Sequence, residues 1–217
     1  MTNKEISAKI AKYLLEVQAV KLNPDQPFTW TSGLLSPIYC DNRVALSFPE
    51  ARTFIRDAFV SQIKAAFPQV EYIAGVATAG IPQGALVADA MDLPYIYIRP
   101  EPKKHGMKNA VEGYMKPGAK VVLIEDLVST GKSSLAAMEN LRNSGGDAIG
   151  LVSVFTYGFA DAAQRFVEAA CPFFSLSNYA DLLEEAQRTG YVTEKEKAVL
   201  ETWSQDPIAW GQARHAL

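Results

Sequence analysis

The chain has 217 residues, 48% hydrophobic and 21% charged, enough apolar content for a full core and too ordinary a balance for a disordered or fibrous protein. A net charge of −3 argues against nucleic acid as the main partner, and no apolar run reaches the roughly 18 residues that a membrane helix needs. The two cysteines, Cys40 and Cys171, stand far apart without metal-ligand spacing and read as free thiols, which sets a cytoplasmic location as the default expectation.

From the N-terminus, Ile6, Ile10, Tyr13, Leu14 and Val17 recur at helical spacing, a charged amphipathic helix rather than a signal peptide. Residues 27–43, PFTWTSGLLSPIYCDNR, are rich in turn formers and aromatics, and Phe28, Trp30 and Tyr39 read first as a core-covering loop. A helix is predicted over 49–66 and a strand over 72–76. The small-residue loop Gly75-Val76-Ala77-Thr78-Ala79-Gly80 follows, then a helix over 81–91. A strand over 95–99 runs into RPEPKKHGMKNAVEGYMKPG, which carries Arg99, Lys103, Lys104, His105 and Lys108. The remaining elements are a strand over 121–124, a helix to about 143, a strand over 148–157 and a helix from about 160. A short strand near 173–174 and a mostly helical tail complete the chain.

This βαβ rhythm predicts an α/β fold, a parallel twisted sheet flanked by helices. Residues 1–45 and 170–217, approximately, fall outside it and form a small hood lobe beside a core over 46–169. Ligands of such sheets bind at the carboxyl ends of strands, and the loops after Val76, Arg99 and Glu125 share that edge.

The stretch VVLIEDLVSTGKSS, 121–134, carries the most chemistry. A buried strand delivers two carboxylates, Glu125 and Asp126. A run of small residues, Ser129, Thr130, Gly131, Ser133 and Ser134, then opens a helix. That order sets backbone N–H groups at a helix N-terminus, where they bind phosphate, beside acids able to accept hydrogen bonds from sugar hydroxyls. Gly131-Lys132-Ser133 matches the end of a nucleotide-triphosphate loop, but the first glycine of that motif falls on Asp126, whose charge repels the phosphate the loop must cradle. An ordinary strand-to-helix turn with a hydroxyl cap explains one Ser or Thr and leaves two adjacent carboxylates unexplained.

Glu125-Asp126-Leu127-Val128-Ser129-Thr130-Gly131-Lys132-Ser133 resembles the phosphoribosyl-pyrophosphate (PRPP) signature of type I phosphoribosyltransferases. The resemblance implies that the acids contact the ribose hydroxyls and that the small-residue loop wraps the 5′-phosphate. It also implies a pyrophosphate loop at Ala77 and Thr78, with a cis peptide between them. Arg99-x-x-x-Lys103-Lys104-His105-Gly106 is similar to the catalytic loop of orotate phosphoribosyltransferases, in which these cations meet the pyrophosphate from a partner subunit. Pro100 replaces the basic residue common after the arginine in that family.

The F-T-x-x-S-G-x-x-S-P pattern from Phe28 resembles the orotate-binding lobe of the same family, which implies orotate contacts at Phe28, Thr31, Tyr39 and Ser129. Thr31 stands where many bacterial members have lysine, and Phe155-Thr156 where many have Asp-Arg. The family's reaction joins orotate and PRPP to give orotidine 5′-monophosphate and pyrophosphate, in pyrimidine synthesis. It uses Mg²⁺ held mainly by PRPP, with no metal ligands from the protein, and it runs in a homodimer with shared sites. A purine or uracil enzyme and a PRPP-binding regulator are the rival readings. The 28–43 pattern opposes the first, and the intact cation loop opposes the second.

Overall fold

The structure is a computed structural model and describes residues 1–30, 32–100 and 110–215. In chain order the elements are α1 (Asn3–Glu16), β1 (Val20–Leu22), β2 (Phe28–Thr29), β3 (Leu35–Ser36), β4 (Ile38–Cys40), a 3₁₀ turn (Asn42–Ser47) and α2 (Pro49–Ala66). Then come β5 (Tyr72–Val76), α3 (Gly80–Met91), β6 (Tyr95–Ile98), β7 (Val111–Glu112), β8 (Lys120–Val128) and α4 (Lys132–Asn143). Last are β9 (Asp147–Thr156), α5 (Ala160–Glu168), β10 (Phe173–Asn178), α6 (Tyr179–Arg188), α7 (Glu194–Gln205) and α8 (Pro207–His215). The chain divides into two compact units, Arg52–Leu176 and Met1–Ala51 with Ser177–Leu217.

The larger unit is built on a six-stranded sheet of order β10-β9-β8-β5-β6-β7. β5 runs parallel to β6 and β8, β8 runs parallel to β9, and β7 is antiparallel to β6. The sheet is thus mostly rather than wholly parallel. The sequence predicts no strand inside 99–118, because a two-residue strand shows no readable alternation.

Alternation along β5 puts helices on both faces. Tyr72, Ala74 and Val76 share a core with Val121 and Leu123 of β8 and with Ala137, Met138 and Leu141 of α4. Gly75, on the opposite side, meets α3: a Cβ there would lie 2.8 Å from Ile81 Cα. Leu123, Ile98 and Leu141 are fully buried, and each such side chain contributes about 1.5–3 kcal/mol through apolar area removed from water.

Two strands differ from their predicted extents by more than one residue. β8 does not stop at Ile124. It continues to Val128 because β9 pairs with it throughout, Glu125 against Ser153, Leu127 against Phe155 and Val128 against Thr156. The carboxylates therefore lie within a strand rather than after one. β10 runs over six residues, not two, and the polar Ser175, Ser177 and Asn178 hide it from an apolar pattern.

In the smaller unit, Thr2 and Glu5 form a reciprocal capping box that starts α1, whose Ile10, Ala11 and Leu14 are fully buried. The 27–43 stretch is strand-bearing, not loop alone. β1 pairs antiparallel with β4, and β2 with β3. Trp30 sits edge-on to the buried Trp203 with ring centroids 5.9 Å apart, and its Nε1–H donates to the Ile38 carbonyl at 3.0 Å. Tyr39 is 43% exposed and tilted against Phe28 at 5.8 Å, so these two rings do not serve as core cover.

Candidate active site

The β5–α3 loop and the β8–α4 loop emerge side by side from neighbouring parallel strands. Gly80, the first residue of α3, makes that approach possible. A Cβ on it would overlap the Ile124 carbonyl oxygen and lie 3.4 Å from Glu125 Cα. The Ala77–Thr78 peptide is cis. Ala77 N–H donates to the Ile98 carbonyl at 2.7 Å, which ties this loop to the end of β6 as well. No side chain caps α3.

In the second loop, Glu125 is buried, only 6% exposed. Its Oε2 accepts from the Ser134 hydroxyl at 3.0 Å and its Oε1 from the Asp126 N–H at 3.1 Å. Burial, followed by the adjacent Asp126 charge, pushes the Glu125 carboxyl well above the usual carboxylate range. Asp126 and Leu127 are half-buried, and the loop opens outward from Ser129 through the exposed Thr130, Lys132 and Ser133.

Gly131 caps α4 at φ 76° with no side-chain hydrogen bond. Among the described residues, the N–H groups of Ser129, Thr130, Gly131, Lys132 and Ser133 have no hydrogen-bond acceptor. An array of unsatisfied donors at a helix N-terminus, beside a half-buried carboxylate, suits a phosphate attached to a hydroxylated sugar.

Arg99 stands just beyond β6 rather than in it. Its N–H donates to the Ala110 carbonyl at 2.9 Å, and its Nε lies 3.4 Å from Glu112 Oε1. The Asn140 amide on α4 donates to the carbonyls of both Arg99 and Pro100 at 3.0 Å. The structure thus brings together Ala77, Thr78, Arg99 and the residues from Glu125 to Ser133 on one sheet edge. Lys103, Lys104, His105 and Thr31 lie outside the described residues, and Phe28 and Tyr39 belong to the smaller unit. Among the described residues, no group of three metal-ligating side chains gathers.

Several supporting contacts escape sequence reading, and one of their residues, Arg165, escapes it altogether. Ser134 engages Glu125, Arg165 reaches the Thr130 carbonyl at 2.9 Å, and the Thr156 hydroxyl reaches the Val128 carbonyl at 2.9 Å. Phe155, fully buried, and Thr156 thus do structural work in this chain. Only Ser134, inside the VVLIEDLVSTGKSS stretch, carries a local signal.

Known proteins resemble this chain in sequence and in fold. Residues 53–191 match the family model described as phosphoribosyl transferase domain. The chain is 49% identical over 207 residues to an orotate phosphoribosyltransferase of Bacteroides fragilis, covering 95% of this chain and 98% of the relative. The solved orotate phosphoribosyltransferase of Aeropyrum pernix superposes with a TM-score of 0.74 at 27% identity, covering 85% of this chain and 99% of that one. The solved UMP synthase of Leishmania donovani superposes with a TM-score of 0.77 at 27% identity, over 92% of this chain and 42% of that longer one.

Proposed function

The chain belongs to the phosphoribosyltransferase family, and from that premise we infer that it transfers the 5-phosphoribosyl group of PRPP to orotate, giving orotidine 5′-monophosphate and pyrophosphate in pyrimidine nucleotide synthesis. The observation that carries this reading is the donor array from Ser129 to Ser133 beside Asp126, in a chain about half identical to curated orotate enzymes along almost its whole length.

Bonds break and form at the anomeric carbon. The pyrophosphate oxygen departs with the bonding pair, and a ring nitrogen of orotate attacks the opposite face of a cation-like ribosyl centre, inverting it, while the proton of that nitrogen passes to the departing pyrophosphate or to solvent. The protein's part is alignment and charge. Val128 to Ser133 hold the 5′-phosphate, through the backbone N–H groups of Ser129 to Ser133. Glu125 and Asp126 hold the ribose hydroxyls, the first from a buried position braced by Ser134 and the second from a half-buried one. Ala77 and Thr78 border the pyrophosphate, and Arg99, Lys103, Lys104 and His105 stabilise its growing charge. Ser129, Phe28, Thr31 and Tyr39 take orotate.

Mg²⁺ enters with PRPP. Held mainly by the substrate's oxygens, the ion would supply Lewis-acid charge at the leaving pyrophosphate. The working form is a cytoplasmic homodimer whose catalytic cations reach the partner's site.

Pyrophosphate release from PRPP and Mg²⁺ with orotate, uracil, adenine and hypoxanthine tests the reading. Release with orotate alone is expected. Release with a purine and not with orotate would reassign the acceptor, and no release with any base would leave a PRPP-binding regulator.

A further inference from the structure

The loop that carries the phosphate contacts is gripped from behind. In a trans peptide the carbonyl and the following N–H point in opposite directions, so fixing one aims the other. Two carbonyls of this loop are fixed. Val128's accepts from the Thr156 hydroxyl at 2.9 Å and from Tyr157 N–H at 3.3 Å. Thr130's accepts from Arg165 Nη1 at 2.9 Å. The N–H groups of Ser129 and Gly131 are thereby turned away from β9 and α5. Next to Arg165 on α5, the Phe166 ring lies against Gly131, where an added Cβ would come within 2.9 Å of a ring atom. One turn of α5 therefore holds the loop through both a charged donor and an aromatic face.

We propose that Arg165 is a positioning residue for the sugar phosphate: by holding the Thr130 carbonyl it presents the Gly131 N–H to the 5′-phosphate, and its guanidinium adds positive charge behind the loop. Asp161, the acid one turn earlier, is 3.9 Å from the guanidinium and almost fully exposed, so it offsets that charge only weakly. The inference rests on reading 128–133 as a phosphate loop, and its test separates the two.

Affinities for ribose 5-phosphate and for Mg²⁺-pyrophosphate are measured by calorimetry on the full chain, its Arg165→Met variant and its Arg165→Lys variant. In Arg165→Met, ribose 5-phosphate should bind about five- to tenfold more weakly, with pyrophosphate affinity and Tm held, since a charge-assisted bond to the loop is lost. In turnover, KM for PRPP should rise more than kcat falls. Arg165→Lys keeps charge and stem, so it should recover part of the loss, and it reports alone if the Met chain does not fold. Wild-type affinity for ribose 5-phosphate in both variants would overturn the role of Arg165 and leave the phosphate loop standing. Equal weakening of both ligands would reduce Arg165 to a general structural contact and overturn it too. A wild-type chain that binds no ribose 5-phosphate would overturn the loop reading itself, and the inference with it.

Discussion

Gly75→Ala is the sharpest probe of how the fold positions the site. A Cβ at Gly75 would lie 2.6 Å from the Tyr95 hydroxyl oxygen, 2.7 Å from the Gly80 carbonyl oxygen and 2.8 Å from Ile81 Cα. Carbon atoms rest about 3.5 Å apart at closest comfort, so the start of α3 must retreat by roughly 0.7 Å. The Tyr95 hydroxyl, which donates to the Ile81 carbonyl at 2.7 Å, must shift with it. Such overpacking costs about 1–3 kcal/mol, and in a domain of this size about 2 kcal/mol lowers Tm by roughly 4–8 °C. The same shift displaces Ala77 and Thr78 from their place beside Glu125. Misplacement by about 1 Å costs on the order of 10²-fold in rate, so kcat/KM should fall about tenfold or more. Gly118→Ala is the control. Gly118, at φ 74°, has open space around its Cβ position and precedes the far end of β8. It should lose about 1–2 kcal/mol to backbone strain and keep its kinetics. Thermal melts and steady-state assays on both variants decide. Wild-type kinetics in a folded Gly75→Ala chain would refute the argument that α3 sets the pyrophosphate loop.

Three further outcomes are expected. The Glu125 carboxyl is raised in the folded chain above its unfolded value, so the stability it contributes is full below the ordinary carboxylate range and is lost as pH rises through the folded value; Glu125→Gln should flatten that loss, and parallel curves of Tm against pH for the two chains would contradict it. Asn140→Asp replaces the donor that holds the Arg99 and Pro100 carbonyls with a repelling carboxylate, and kcat/KM should fall about tenfold, or ~1.4 kcal/mol, while ribose 5-phosphate binding stays unchanged; loss of that binding would place the damage elsewhere. Asp126→Asn should weaken PRPP use without lowering Tm, and heterodimers of Asp126→Asn with Lys103→Ala chains should regain part of the activity; no regain in verified heterodimers would argue that each site is built from one chain.

The sheet was legible wherever a strand is long and buried on both faces, as in Tyr72–Val76, where hydrophobic runs bounded by small residues leave little else to build. The phosphate loop was legible because donor arrays need small residues in an unbroken order. Short strands such as Val111–Glu112 were not, since pairing with β6 rather than local pattern makes them. The reach of β8 through two carboxylates depends on β9, which follows α4 in the chain. Arg165 lies 35 residues beyond Thr130, and only the fold brings the guanidinium to that carbonyl. Tyr39 read as core because aromatics are commonly buried, yet it is 43% exposed. Its place directly opposite the exposed Lys21 in the β1–β4 pair, visible only once that pairing is known, puts both side chains on one outward face.

Transfer of phosphoribose from PRPP to orotate leaves its plainest record in the product. The chain is incubated with PRPP, Mg²⁺ and orotate, and the product is resolved by nuclear magnetic resonance alongside a pyrophosphate assay. A nucleotide of orotate with an inverted anomeric carbon is expected, with one pyrophosphate released for each orotate consumed. Orotate left unchanged while PRPP is consumed, or a product that retains configuration at that carbon, would contradict it.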